Sequence, residues 1–280
     1  MAESVSDFLK REIQPIPHII GRGILPVRGK LIIGGEPKTN KSFLAMNIAW
    51  DLARGHNIFD AAYKSGVPLM PVVQPYRVLY IEQEVGESGM RERVRGLIGD
   101  TPCEEVPFFV KTRDMNLRLD TEKGREAIQR EIEQCRPDVV IGDPMAKLHV
   151  SDENSNQAMG MILRVLDRWV ETYGFSVILV HHTTKPLFDN PRKGGMKLRG
   201  ASAIFGDADA VCDVVRLSAS HHREPVLALS FELRRDAPLE ETIYVKRLKS
   251  GRVAYLGEDF HWGRPRMIDT VETREPYPNL

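Results

Sequence analysis

An α/β fold with a mostly parallel central sheet, closing in a run of antiparallel strands, is what this sequence predicts. Three observations carry the expectation. A strand, a glycine-containing loop and a helix follow one another across residues 29–50. Short continuous apolar runs then alternate with helical segments as far as Val180, the pattern of strands buried on both faces. Beyond residue 210 the helices give way to four successive strand-like segments.

The first of these units carries the chemistry. Leu31 to Ile33 reads as a buried strand and Ser42 to Arg54 as the helix, with Gly35-Glu36-Pro37-Lys38-Thr39-Asn40-Lys41-Ser42 between them. Strand, loop and helix in that order suit a nucleoside triphosphate. Loop amides and the helix N-terminus cradle the phosphates, Lys41 sets a positive charge on the β and γ oxygens, and the Ser42 hydroxyl ligates magnesium. The expected contacts run from Gly35 through Phe43. Asn40 stands where the pattern G-x-x-x-x-G-K-S/T has its second glycine. Asn accepts a left-handed backbone more readily than other non-glycine residues, so the departure reads as a tolerated variant.

The 280 residues suit one large domain, with 42% hydrophobic residues to build its core. Formal charge is zero, so a nucleic-acid partner has to be met by local basic loops rather than by the whole surface. Cys103, Cys135 and Cys212 have no metal-ligand spacing and read as reduced thiols. No apolar run reaches membrane-spanning length and no signal pattern is present, so a cytoplasmic protein is expected.

Residues 1–28 read as a short helix (Ser4 to Glu12) and a proline-punctuated arm. The arm either straps its own domain or reaches a neighbouring subunit. Residues 29–258 form the expected main domain, and 259–280 a tail. Within the main domain, strands are expected at Arg77–Ile81, Val106–Lys111, Val139–Ile141 and Ser176–Val180. Helices are expected at Ser88–Ile98, Thr121–Cys135 (with Thr121 as cap) and Gln157–Thr172. The later strands are Val211–Arg216, Val226–Arg234, Thr242–Leu248 and Arg252–Leu256.

Ligands of open parallel sheets sit outside the carboxyl ends of the strands. The reactive side chains there are the phosphate loop, Glu84, Asp143 and His182. Asp143 follows an apolar strand and is the second candidate for magnesium, direct or through water. Glu84 is the candidate for orienting the attacking water, with Glu82 its competitor. His182 is the better of the His181-His182 pair for sensing the γ-phosphate.

With these residues in order, the chain resembles the RecA-type ATPases, and most closely the RepA-like hexameric replicative helicases of plasmids and phages, over roughly residues 20–250. Gly-Glu-Pro-Lys-Thr-Asn-Lys-Ser-Phe-Leu-Ala is similar to that group's phosphate loop. Arg77-Val78-Leu79-Tyr80-Ile81-Glu82-Gln83-Glu84 resembles the strand ending in its catalytic glutamate, and Asp138-Val139-Val140-Ile141-Gly142-Asp143-Pro144 its second magnesium motif. Val177 to Lys185 resembles the element linking the γ-phosphate to a DNA loop, and Arg199-Gly200-Ala201-Ser202-Ala203 the segment after that loop. Phe231-Glu232-Leu233-Arg234-Arg235 is similar to the strand presenting an arginine finger to the next subunit. Many relatives carry a lysine two positions before that arginine, where this chain has Glu232.

The resemblance implies a RecA-like three-layer core and a ring, a hexamer, with ATP and Mg2+ between subunits. Arg234, or Arg235, would reach the neighbour's nucleotide. Loops after the Asp143 and His182 strands would meet single-stranded DNA. The first carries Lys147 and His149. The second carries Lys185, Arg192, Lys193, Lys197 and Arg199, five cations within fifteen residues, around Gly194-Gly195. With little aromatic interleaving (Phe188 alone), backbone grip is expected more than base stacking. A primase or replication initiator would act in trans. The same core also serves regulatory and remodelling ATPases that unwind nothing, which is the alternative function.

Overall fold

The computed structural model describes residues 3–12, 14–153, 155–182, 201–217, 224–233, 242–260 and 262. A nine-stranded sheet forms the centre. Its strands are β3 (Lys30–Gly35), β4 (Val78–Glu82), β5 (Phe108–Lys111), β6 (Val139–Asp143), β7 (Ser176–His182), β8 (Ala210–Leu217), β9 (Val226–Leu233), β10 (Ile243–Arg247) and β11 (Val253–Tyr255). The spatial order is β11-β10-β9-β8-β3-β7-β6-β4-β5. Strands β3 to β8 pair in parallel, whereas β8-β9, β9-β10 and β10-β11 are antiparallel. β8 is therefore the pivot between the two halves.

Alternate residues along each central strand enter opposite cores, as a period of two requires. Leu31, Ile33, Tyr80, Ile141 and Val180 face one cluster with α2 (Lys41–Arg54) and α3 (Gly86–Ile98). Ile32, Leu79, Ile81, Val140 and Leu179 face the other, with α4 (Glu122–Cys135), α5 (Asn156–Tyr173) and the short α6 (Ala201–Asp207). The result is three layers, α/β/α. Thr121 caps α4 by accepting the Gly124 N–H, and Gly174 ends α5 in the left-handed conformation. Lys30 ties the start of β3 to α5 and α6 through Asp167 and Asp207, while its N–H donates to Asp209.

The arm divides at about residue 18. The helix α1 (Val5–Lys10) has no buried residue. His18–Ile20 (β1) and Leu25–Pro26 (β2) pair with each other, and Ile19, Ile20, Ile24 and Leu25 lie within the first core. Residues 18–28 therefore strap their own domain. α6 was not expected from sequence, and the sequence segments 185–199 and 234–241 lie outside the described residues.

One buried carboxylate makes stability pH-dependent. Asp51, near the end of α2, accepts the Phe59 N–H at 2.8 Å. Burial pushes its carboxyl up to about 7, with Asp60 adding to the effect and the Phe59 bond, Arg252 and Arg54 opposing it. The folded chain thus holds this proton more tightly than the unfolded one. The contribution to stability is complete below the ordinary value of 3.8 and is lost as pH rises through about 7. Between about pH 4 and about pH 7, wild-type stability is expected to fall by about 1.4 kcal/mol per pH unit relative to Asp51→Asn, and to level off above about pH 7. Thermal melts of both proteins from mildly acidic to neutral pH check this.

Candidate active site

Register brings the site together. Gly35 of β3 lies beside His182 of β7, and Glu82 of β4 beside Asp143 of β6, at the carboxyl ends of adjacent parallel strands. The strand order β3-β7-β6-β4 then sets all four in one row, and α2 begins above it.

The phosphate loop is held tightly by its own side chains. Lys41 is buried, and its Nζ donates to the carbonyls of Gly35 at 2.8 Å and Glu36 at 2.7 Å. Thr39 Oγ1 donates to the Glu36 carbonyl. A Cβ on Gly35 would come within 2.6 Å of the Val214 carbonyl, so only glycine fits. Asn40 takes the left-handed conformation, φ 65° and ψ 24°, and Lys38 likewise has φ 66°. Nothing from the Asn40 side chain caps α2, whose first turn also lacks an acidic residue. The loop-side end of the helix dipole is thus left for an anion.

Lys41 marks where that anion would sit. Its Nζ lies 3.4 Å from His182 Nδ1. Burial lowers the ammonium to about 8, with the Asp143, Glu84 and Glu36 carboxylates opposing the shift. A phosphate beside it would restore the charge.

Ser42 and Asp143 meet across the loop. Ser42 Oγ donates to Asp143 Oδ1 at 3.1 Å, and Tyr80 Oη donates to Asp143 Oδ2 at 2.5 Å. Burial pushes the Asp143 carboxyl up to about 6, with Tyr80 and Ser42 opposing and Glu82 and Glu84 adding to it. A divalent cation at this carboxylate would relieve the same cost. Among the described residues no group of three His, Cys, Asp or Glu could hold a metal. The donors present, one hydroxyl and one carboxylate, fit magnesium that completes its shell with phosphate oxygens and water.

The two glutamates are in different situations. Glu82 is 1% exposed, and its carboxylate accepts the N–H groups of Glu84, Val85 and Gly86. That carboxylate ties down the turn into α3. Glu84 is exposed, beyond the end of β4, and its charge acts on Lys41 and Asp143.

Sequence reasoning missed four residues around the loop. Tyr80 reads as one more apolar strand residue, yet its hydroxyl orients Asp143. Arg93 and Arg247 both lie over the Phe43 ring, 5.0 and 4.5 Å from its centroid. Asn47 fastens this corner by donating to the Gly251 carbonyl and accepting the Val253 N–H. Contacts spanning some two hundred positions leave no local signal.

The expected DNA contacts divide. Lys147 follows β6 on the surface. His149 does not share that face: it is 4% exposed, with Nδ1 3.1 Å from the Ser151 carbonyl, so it is removed from the candidate contacts. Lys185, Arg192, Lys193, Lys197 and Arg199 lie outside the described residues, as do Arg234 and Arg235. No helix among the described residues is long and apolar enough to cross a membrane.

Comparison with known proteins places the sequence in a family and the fold beside a solved one. Residues 1–186 match the model of the AAA_25 family, described as an AAA domain. The DNA repair protein RadA of Haemophilus influenzae is 24% identical over 176 residues, covering 61% of this chain and 31% of RadA. The chain thus spans about a third of the length of that curated relative. A KaiC-like protein of the hyperthermophilic archaeon Pyrococcus horikoshii superposes with a TM-score of 0.58 at 13% identity, covering 86% of this chain and 99% of the other. That likeness is one of fold, a RecA-type α/β core with antiparallel strands at one side.

Proposed function

For a chain that belongs to the AAA_25 family of AAA domains, we propose an ATP-hydrolysing, ring-forming motor on single-stranded DNA, of the RepA-like replicative helicase kind. The observation that carries it is the meeting of Lys41 and Ser42, which open α2, with His182 and Asp143 at the carboxyl ends of neighbouring strands.

Lys41 and the loop amides from Gly35 to Phe43 bind the phosphates. Ser42 and Asp143 hold magnesium, which when bound neutralises charge on the β and γ oxygens. Tyr80 keeps the Asp143 carboxylate turned toward Ser42. Glu84 orients the attacking water and takes its proton, since the Glu82 carboxylate is already engaged by three amides. His182, close to Lys41, registers the γ-phosphate and passes its presence to the chain that follows β7. Arg234, with Arg235 as the alternative, supplies charge to the neighbour's nucleotide. Lys147, Lys185, Arg192, Lys193, Lys197 and Arg199 grip the DNA backbone.

RadA is named a DNA repair protein, which supports a DNA-associated ATPase without specifying unwinding. The second reading is accordingly a RecA-like regulatory or remodelling ATPase. Strand displacement from a forked duplex separates the two. The motor predicts ATP-dependent displacement that Lys41→Ala abolishes. Hydrolysis on bound DNA with no displacement favours the regulatory ATPase.

A further inference from the structure

Beside Glu84 lies a hollow of about 230 Å³ lined by Gln83, Glu84, Arg113, Met115, Arg118 and Lys147. Three cations face a single carboxylate. No salt bridge among the described residues engages any of the three. The segment after β5 brings in Arg113 and Arg118, and the turn after β6 brings in Lys147.

A second observation comes from Gln83. It is 4% exposed, its Oε1 accepts the Asp114 N–H, and its Nε2 has no hydrogen-bond partner. A buried amide donor left without an acceptor is unfavourable, because its lost hydration is not replaced. An oxyanion in the hollow would satisfy it and the three cations together. The rim adds an apolar group, Met115, 65% exposed beside Arg113. Free phosphate has no use for such a group, but a sugar or base attached to a phosphate does.

We propose that this hollow is a phosphate site for the backbone of single-stranded nucleic acid, with Arg113, Arg118, Lys147 and the Gln83 amide as donors and Met115 against the adjoining nucleoside. The inference rests on the DNA-associated reading above and extends the expected contact surface to the β5–α4 segment. It also seats a DNA phosphate next to Glu84, so that DNA occupancy bears directly on the residue proposed to activate water.

The test is binding of a fluorescent oligothymidylate by the full chain across a series of salt concentrations. Arg113→Ala and Lys147→Ala, both at exposed positions, should each flatten the slope of log affinity against log salt by about 0.7. Together they should weaken binding about tenfold or more at moderate salt. Lys64→Ala, a cation already paired with Asp259, should leave the slope as it is. Gln83→Met should weaken binding severalfold with the slope unchanged, because the group removed is neutral.

Wild-type binding that Arg113→Ala, Lys147→Ala and Gln83→Met leave untouched would overturn the inference while leaving the DNA-associated reading in place. A wild-type chain that does not bind the oligonucleotide would overturn both. Inorganic phosphate is the second probe. If the substitutions abolish its binding yet spare the oligonucleotide, the hollow serves free phosphate and the nucleic-acid assignment is overturned.

Discussion

Glu84→Gln should lower ATP turnover about 10²- to 10⁴-fold, the range for removing a positioned general base, with the unfolding midpoint unchanged. Glu82→Gln should act mainly on stability. The difference follows from where each carboxylate points. Glu82 accepts N–H groups at 2.5, 2.5 and 3.1 Å in a fully buried position. Bonds to a charged acceptor contribute about 1.5–3 kcal/mol each. An amide keeps one acceptor oxygen and turns an NH2 group on the remaining donors, so a loss of about 3 kcal/mol is expected. Glu84 is solvent-exposed and beyond the strand, so its substitution disturbs little packing. Denaturant melts and steady-state hydrolysis of the two variants decide the matter. A large loss of turnover in a stably folded Glu82→Gln, with Glu84→Gln active, would reverse the assignment.

Arg234→Ala should cost about 10³- to 10⁵-fold in turnover, the contribution of an arginine finger. The fold supports action on a neighbouring subunit rather than on the chain's own nucleotide. Leu233, the last residue of β9, pairs with Ala210, and Ala210 is level with Leu31. Leu31 is four residues before Gly35, about 13 Å along the strand at 3.3 Å per residue. The chain therefore leaves β9 at the end of the sheet opposite its own phosphate loop. Mixing Arg234→Ala with Lys41→Ala tests this, because neither protein alone pairs an intact site with an intact finger across an interface. Partial recovery of hydrolysis in the mixture is expected. A mixture no more active than its components would count against a finger acting between subunits.

The parallel half of this fold is legible in the sequence because its strands are apolar runs ended by a reactive residue. Asp143 and His182 each terminate such a run, register sets them level with Gly35 and Glu82, and the loop after Gly35 then carries Lys41 to them. Asn40 was also readable, since its side chain suits the left-handed backbone it adopts. Residues whose meaning depends on a distant partner were not legible. Tyr80 has the pattern of a core residue, and only the Asp143 carboxylate across the sheet gives its hydroxyl a purpose. His149 looks like a surface cation until Ser151 and the core enclose it. Residues 18–28 have neither a helical nor a strand period, because they pack as a short two-stranded strap rather than as part of the main sheet. Arg113 and Arg118 are ordinary charges in sequence, and they acquire a role only through the hollow they share with Lys147.

ATP hydrolysis measured over a range of protein concentrations, with and without single-stranded DNA, tests the central claim most directly. A site completed by a neighbour's arginine and coupled to DNA predicts turnover per subunit that rises with protein concentration and rises again when DNA is added. Turnover per subunit that is independent of both would contradict the assembled DNA motor.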